Sequence, residues 1–170
     1  LNDNGMILVK QSGKWAILDQ NLKNVTDFVF TDVAVNSKNQ VFSGNYAVVA
    51  DENGYFLIDQ KGKACFEKRF PNAKGMEGGY YAVADESGQW GFADEKGELV
   101  VPCQYVDAYS FSNQTAAVQY AGKWGYINRY GNMVIDAQFS TALPFLNGKA
   151  MVQDDQENIK VLELRYFDTF

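Results

Sequence analysis

A short unit built from a glycine turn and a following aromatic recurs along this chain, and it restricts the fold more than any other feature. Ala121-Gly122-Lys123-Trp124-Gly125-Tyr126-Ile127-Asn128 is answered one period earlier by Ser87-Gly88-Gln89-Trp90-Gly91-Phe92-Ala93-Asp94. Ser12-Gly13-Lys14-Trp15-Ala16-Ile17-Leu18-Asp19 and Glu52-Asn53-Gly54-Tyr55-Phe56-Leu57-Ile58-Asp59 are weaker copies. The anchors Trp15, Tyr55, Trp90 and Trp124 are 40, 35 and 34 residues apart, a period of one supersecondary unit per repeat. The longer first step is explained by the polar insertion Val35-Asn36-Ser37-Lys38-Asn39-Gln40-Val41.

An apolar run opens eight residues before each anchor, at Ile7, Ala47, Ala82 and Ala116, and again at Ala150. A constant offset across a short glycine turn is the pattern of a hairpin whose register is fixed. A second turn with glycine follows at Gly62, Gly97 and Gly131, where the first unit has Leu22. Third-strand patterns come next, clearest at Leu99-Val100-Val101, ended by Pro102, and at Met133-Val134-Ile135. Connectors carry aromatics fifteen residues past the anchor (Phe30, Phe70, Tyr105, Phe139) and again before the next unit (Phe42, Phe111, Phe145), and these read as plugs packing the connectors onto the core.

The chain is therefore expected to be all-β, a single domain over 1–170 made of about five three-stranded meanders at 5–30, 45–70, 80–105, 114–139 and 148–168, with Asn158 at the anchor place of a degenerate fifth unit. Trp90 and Phe92 share one face of their strand and Gly91 and Ala93 the other, and both faces are apolar, so sheets should be covered on both sides. The small residue after the anchor leaves room, on this reading, for bulk from a neighbouring unit. A propeller-like toroid is favoured, with an open β-superhelix as the alternative; a connector supplies a fourth strand, absent from the fifth unit.

Gly122-Lys123-Trp124-Gly125-Tyr126-Ile127-Asn128, followed by Gly131, Val134-Ile135, Phe139, Ala142, Phe145 and Gly148-Lys149-Ala150-Met151-Val152, resembles the WG (KWG-type) repeat family of bacterial β-rich repeat proteins. The resemblance implies a β-repeat protein, often envelope-associated, with no shared catalytic residues to carry over.

Chemistry is sparse. The 170 residues contain no histidine, which removes the usual general base at neutral pH and the commonest metal ligand. The formal charge of −6 disfavours nucleic-acid or anionic-membrane binding through bulk charge. No apolar run reaches the length of about 18 residues that a membrane helix needs, and residues 1–10 show no basic leader segment. Cys65 and Cys103 lack metal or redox spacing and are expected as core thiols. Asp51-Glu52, Asp85-Glu86, Asp94-Glu95 and Asp154-Asp155 read as turn acids and not as a calcium loop, and Gly75-Met76-Glu77-Gly78-Gly79 lacks the lysine of a phosphate loop.

No catalytic, cofactor or metal residues are assigned, and no enzyme activity is expected. Tyr109, Tyr120 and Tyr130 fall where the repeat demands no aromatic, which makes them the candidate contact residues. The expected role is a noncatalytic binding or scaffold module presenting loops to a protein, or to a polysaccharide. The alternatives are a carbohydrate-binding or hydrolytic domain of the bacterial cell envelope and a structural spacer.

Overall fold

The computed structural model describes residues 5–164, and the regular structure among them is entirely β, in five small antiparallel sheets. Sheet 1 is the hairpin β1 (Ile7–Gln11) and β2 (Lys14–Leu18). Sheet 2 holds β3 (Asp32–Val33), β4 (Phe42–Ser43), β5 (Tyr46–Asp51) and β6 (Gly54–Asp59), with β5 paired to the other three. Sheet 3 runs in chain order through β7 (Asn72–Ala73), β8 (Tyr80–Ala84), β9 (Trp90–Asp94) and β10 (Leu99–Tyr105). Sheet 4 repeats that order in β11 (Asp107–Ala108), β12 (Thr115–Tyr120), β13 (Lys123–Asn128) and β14 (Met133–Phe139). Sheet 5 is β15 (Thr141–Ala142), β16 (Lys149–Gln153) and β17 (Ile159–Glu163). Residues 165–168 of the expected fifth unit lie outside the described residues.

Consecutive sheets stack face to face. Phe30, Phe42, Val49 and Phe56 fill the junction of sheets 1 and 2; Val48, Leu57, Tyr81 and Val83 that of sheets 2 and 3. Ala82, Phe92, Phe111 and Val118 fill the third junction, and Ala117, Tyr126, Phe145 and Val152 the fourth. Phe92 and Ala93, on opposite faces of one strand, are both fully buried, as two apolar faces require. The connector aromatics are core residues throughout. This is a propeller-like arrangement of blades, and none of the four clusters joins sheet 5 to sheet 1.

Four expectations need correction. The fourth strand is indeed a connector, but β3, β7, β11 and β15 each pair with the opening strand of the unit that follows, so sheet 5 has one, and among the described residues none pairs with β1 in this way.

The offset of eight also conceals a change of register. Tyr120 pairs with Lys123 across a two-residue turn, whereas Ala84 pairs with Trp90 across the five residues 85–89. In that wider turn the Asp85 carboxylate accepts the amide hydrogens of Ser87 and Gln89, at 2.9 and 3.0 Å. Shifting the register by one residue swaps faces. Ala82 therefore pairs with Phe92 and looks towards sheet 4, while Ala116 pairs with Ile127 and looks back towards sheet 3. Sheet 5 uses the wide turn too, which puts Ile159, not Asn158, opposite Gln153 at the place held in sheet 4 by Trp124 opposite Gln119.

The space beside Gly91 and Gly125 belongs to the unit's own third strand. A Cβ on Gly91 would stand 2.5 Å from the Val101 carbonyl oxygen and 2.7 Å from the Cys103 nitrogen. On Gly125 it would stand 2.6 Å from the Ile135 oxygen and 2.7 Å from the Ala137 nitrogen. The glycine lets a bulged strand cross directly over the anchor strand, with one register shift at the crossing and a second just past it.

Finally, the cysteines are not both core thiols. Cys65 is exposed and Cys103 half-buried at the edge of the second junction, and both are free. The segment carrying Cys65 is tied to β6 there, the Cys65 amide donating to the Leu57 carbonyl at 2.9 Å, but it forms no continuous third strand over Phe56.

Candidate functional site

Among the described residues, a groove is bordered by the third strands of sheets 3 and 4. It encloses about 410 Å³ and is lined by Gln104, Tyr105, Tyr120, Met133, Asp136 and Ala137. The crossing strands β10 and β14 create it: each passes over its glycine and presents alternate side chains outwards, leaving Asp136 exposed and Met133 half-buried.

Tyr105 closes sheet 3 opposite Trp90 and is buried, while Tyr120, at the end of β12, is 50% exposed. Their rings meet edge to face, 6.3 Å between centroids. Burial pushes the Tyr105 hydroxyl above the ordinary tyrosine range; the Gln104 amide, 3.4 Å away, opposes that slightly and Tyr120 adds to it. The groove thus offers two phenol rings, one amide and one carboxylate, a set suited to holding a ligand and lacking a paired acid and base.

The three tyrosines do not converge. Tyr120 sits at the β12–β13 turn and Tyr130 beyond the far end of β13, the length of a six-residue strand away, because a hairpin sends its two ends in opposite directions. Tyr109 is half-buried, its ring 5.3 Å from that of Trp124. It also walls a cation clamp: Lys74 Nζ lies 4.7 Å from the centre of the Trp90 ring and 5.0 Å from that of Tyr109. The same ammonium pairs with Asp107 at 2.9 Å and donates to the Ala108 carbonyl. With its cation already supplied from within the chain, the clamp ties sheet 3 to sheet 4. Gln104 and Asp136, the polar part of the groove, carry no sequence signal, since alternate positions of any edge strand look alike.

The turn acids have structural employment. Asp59 and Asp94 each accept two backbone amide hydrogens, from Lys61 and Lys63 and from Lys96 and Glu98, at 2.8–3.0 Å. Asn128 accepts those of Tyr130 and Asn132 in the same way. Asp154 accepts those of Gln156 and Asn158 at 3.0 Å and pairs with Lys160 at 3.0 Å. The Lys160 contact above all, then these amides, hold its carboxyl down at about 2. Among the described residues no group of three or more Cys, Asp or Glu is gathered to hold a metal ion. Both thiols are raised above the ordinary range, chiefly by burial and further by Asp59 and Glu95 at Cys65 and by Asp85 at Cys103, with Lys68 opposing at Cys103. Raised thiols are poor nucleophiles. No described segment is a helix long and apolar enough to cross a membrane.

Comparison with known proteins bears on the fold. Kluyveromyces lactis Hsv2 superimposes on 96% of this chain with a TM-score of 0.62 and 14% identity, over 59% of its own length. The computationally designed Ika8 protein matches 96% of the chain with a TM-score of 0.59 and 12% identity, over 57% of its length. BamB from Moraxella catarrhalis matches 98% with a TM-score of 0.53 and 13% identity, over 56% of its length. Hsv2 and BamB are β-propeller-like structures, and the chain spans between half and two thirds of each of the three. Comparison with curated proteins finds no match. Residues 90–124 and 124–157 each match the family described as WG containing repeat. Indole followed by glycine, glycine crossed by the unit's own third strand, and the period of 34 residues from Trp90 to Trp124 all coincide in that stretch, where residues 90–157 match two adjacent WG repeats within a propeller-like array of sheets.

Proposed function

We propose that the chain is a noncatalytic interaction module that offers the groove beside Tyr120 to an extended, cationic segment of a macromolecular partner. The observation that carries this reading is Tyr120 itself. It stands 50% exposed over a groove, edge-on to a buried tyrosine, while the connector aromatics of the repeat are in the core. Aromatic rings flanked by a carboxylate suit a lysine or arginine side chain. The formal charge of −6 draws such a segment in. The tied turn carboxylates and raised thiols support a role without chemistry. The hydrolytic alternative calls for a second carboxylate facing the first, and Asp136 is the one carboxylate among the six residues lining the groove.

A display selection of random peptides against the intact chain tests this. Enriched peptides are expected to be basic and to bind the Tyr120→Ala and Asp136→Asn variants at least about tenfold more weakly, with Tyr130→Ala unchanged. Full affinity for both groove variants, or selection of no basic peptide, overturns it.

A further inference from the structure

Sheets 3 and 4 each turn a third strand to the outside of the array, and the two differ at one equivalent place. β10 pairs with β9 through Val101–Phe92 and Tyr105–Trp90, and β14 with β13 through Ile135–Tyr126 and Phe139–Trp124. Between those contacts, twelve residues past the indole, β10 has Pro102 and β14 has Asp136. Proline carries no N–H, yet β10 keeps its pairing on both sides of it. This position therefore owes no hydrogen bond to the anchor strand, and proline here closes the edge of sheet 3 to a further strand.

The edge of sheet 4 keeps its amide at that place. β14 spans seven residues, Met133–Phe139, and exposes Val134, Asp136 and Gln138 in alternation with half-buried neighbours. Among the described residues it pairs with β13 alone. Sheet 4 has a neighbour stacked on each face, so this edge is not an end of the array. Asp136 and Ala137 also line the groove with Tyr105 and Tyr120, which makes edge and groove one surface. The charge at the middle of the edge selects what it accepts. Two copies of β14 paired about their midpoint would set Asp136 against Asp136, and like charges directly opposite destabilise a strand pair, whereas a basic residue there forms a cross-strand ion pair.

We infer that a basic segment of a partner protein adds to β14 as a further strand of sheet 4, with a lysine or arginine opposite Asp136 and the side chains of alternate residues turned to the Tyr120 groove. This rests on the reading of the groove as a site for an extended cationic segment, and it adds how the segment is held. Main-chain hydrogen bonds to the edge supply affinity, and a side-chain pattern of period two supplies specificity.

Backbone methylation of the peptide tests it without altering the protein. The tightest basic peptide selected against the intact chain is made with one N-methyl amide at a time, and its affinity is measured by fluorescence anisotropy. Only every second residue of an added strand bonds to the edge. Methylation at alternate positions should therefore weaken binding at least about tenfold, and at the positions between them by no more than about twofold. On the protein side, Asp136→Ala and Asp136→Pro both lose the carboxylate, and only the second loses the N–H; Pro102 shows that the strand accommodates it. Asp136→Pro should bind the peptide at least about fivefold more weakly than Asp136→Ala. A peptide that tolerates methylation throughout, or suffers equally at every position, overturns strand addition, as does equal affinity of the two variants. Those outcomes leave the groove reading standing, since Tyr120→Ala tests it by itself. Selection of no basic peptide removes both.

Discussion

Sheets 2 and 4 carry the same central hairpin and the same closing contact, Tyr55 with Phe70 and Trp124 with Phe139, yet they differ in what lies over the anchor strand between those points. In sheet 4 it is backbone: β14 runs unbroken from Met133 to Phe139 and crosses Gly125. In sheet 2 it is a side chain. Phe56 occupies the crossing, its ring 6.2 Å from Phe30 of the neighbouring sheet, and the Arg69 guanidinium lies over it at 3.5 Å. The segment after β6 then meets the sheet at Ala64 and Cys65 and again at Phe70, with no continuous strand between. Sheet 1, with Ala16 after its indole, behaves like sheet 2, touching over Asn24 to Thr26 and again at Phe30 without a continuous third strand. One residue beside the anchor thus decides whether a third strand forms, and the family match covers the two units where that residue is glycine.

The largest effects should come from removing the bulk each arrangement depends on. Phe56→Ala and Trp124→Ala should each cost about 3–5 kcal/mol in chemical denaturation, the first by emptying the filled crossing of sheet 2, the second by removing a buried indole. Trp90→Ala should cost less, because that indole is only half-buried under Lys74. Equal losses at the two indoles would mean that burial is not what separates them.

The next pair inverts the residue at the crossing. Gly125→Ala drives a Cβ into the Ile135 carbonyl and should cost about 1–3 kcal/mol, with exchange protection lost along β14. Ala16→Gly, where no strand crosses, should cost only about 0.5–1 kcal/mol, through backbone entropy. If Gly125→Ala proves as mild as Ala16→Gly, the crossing is not what glycine serves. Smaller again is Arg69→Met, which removes the stacking on Phe56 and the paired contacts to Asp51 at 3.1 Å. Both partners are partly exposed, so about 1 kcal/mol is expected.

Much of this was legible in the residues because hairpins are local. The turn glycines, the apolar runs on either side and the buried connector aromatics lie within a few residues of the contacts they specify. The role of Gly91 was not, because its neighbours, Val101 and Cys103, arrive ten and twelve residues later through a bulge that leaves no periodic trace. The register change in sheet 3 was hidden for a similar reason: a side-chain acceptor, Asp85, widened the turn without altering the spacing of its flanks. Of the candidate site, the repeat pattern singled out Tyr120 as superfluous to packing. It could not show that Tyr109 is spent on Trp124 and Lys74, since that contact joins two sheets.

The smallest expected effect separates sheets 4 and 5 by their turn residues. Sheet 4 turns on Asn128, which does not titrate, and sheet 5 on Asp154, whose carboxyl is held at about 2 against an ordinary 3.8. A group depressed in the folded state adds stability above its unfolded value and loses it as the pH falls through the folded one. The Asp154 contribution is therefore complete above about pH 4 and fades towards pH 2. Amide proton shifts of Gln156 and Asn158 should titrate with a midpoint at about 2, while those of Tyr130 and Asn132 stay flat. Asp154→Asn keeps the oxygen that accepts the two amides and loses the charge that pairs with Lys160, so it should abolish the titration without opening the turn. A matching titration at Tyr130 and Asn132 would place its origin outside the Asp154 carboxyl, and the contrast between the two turns would fall with it.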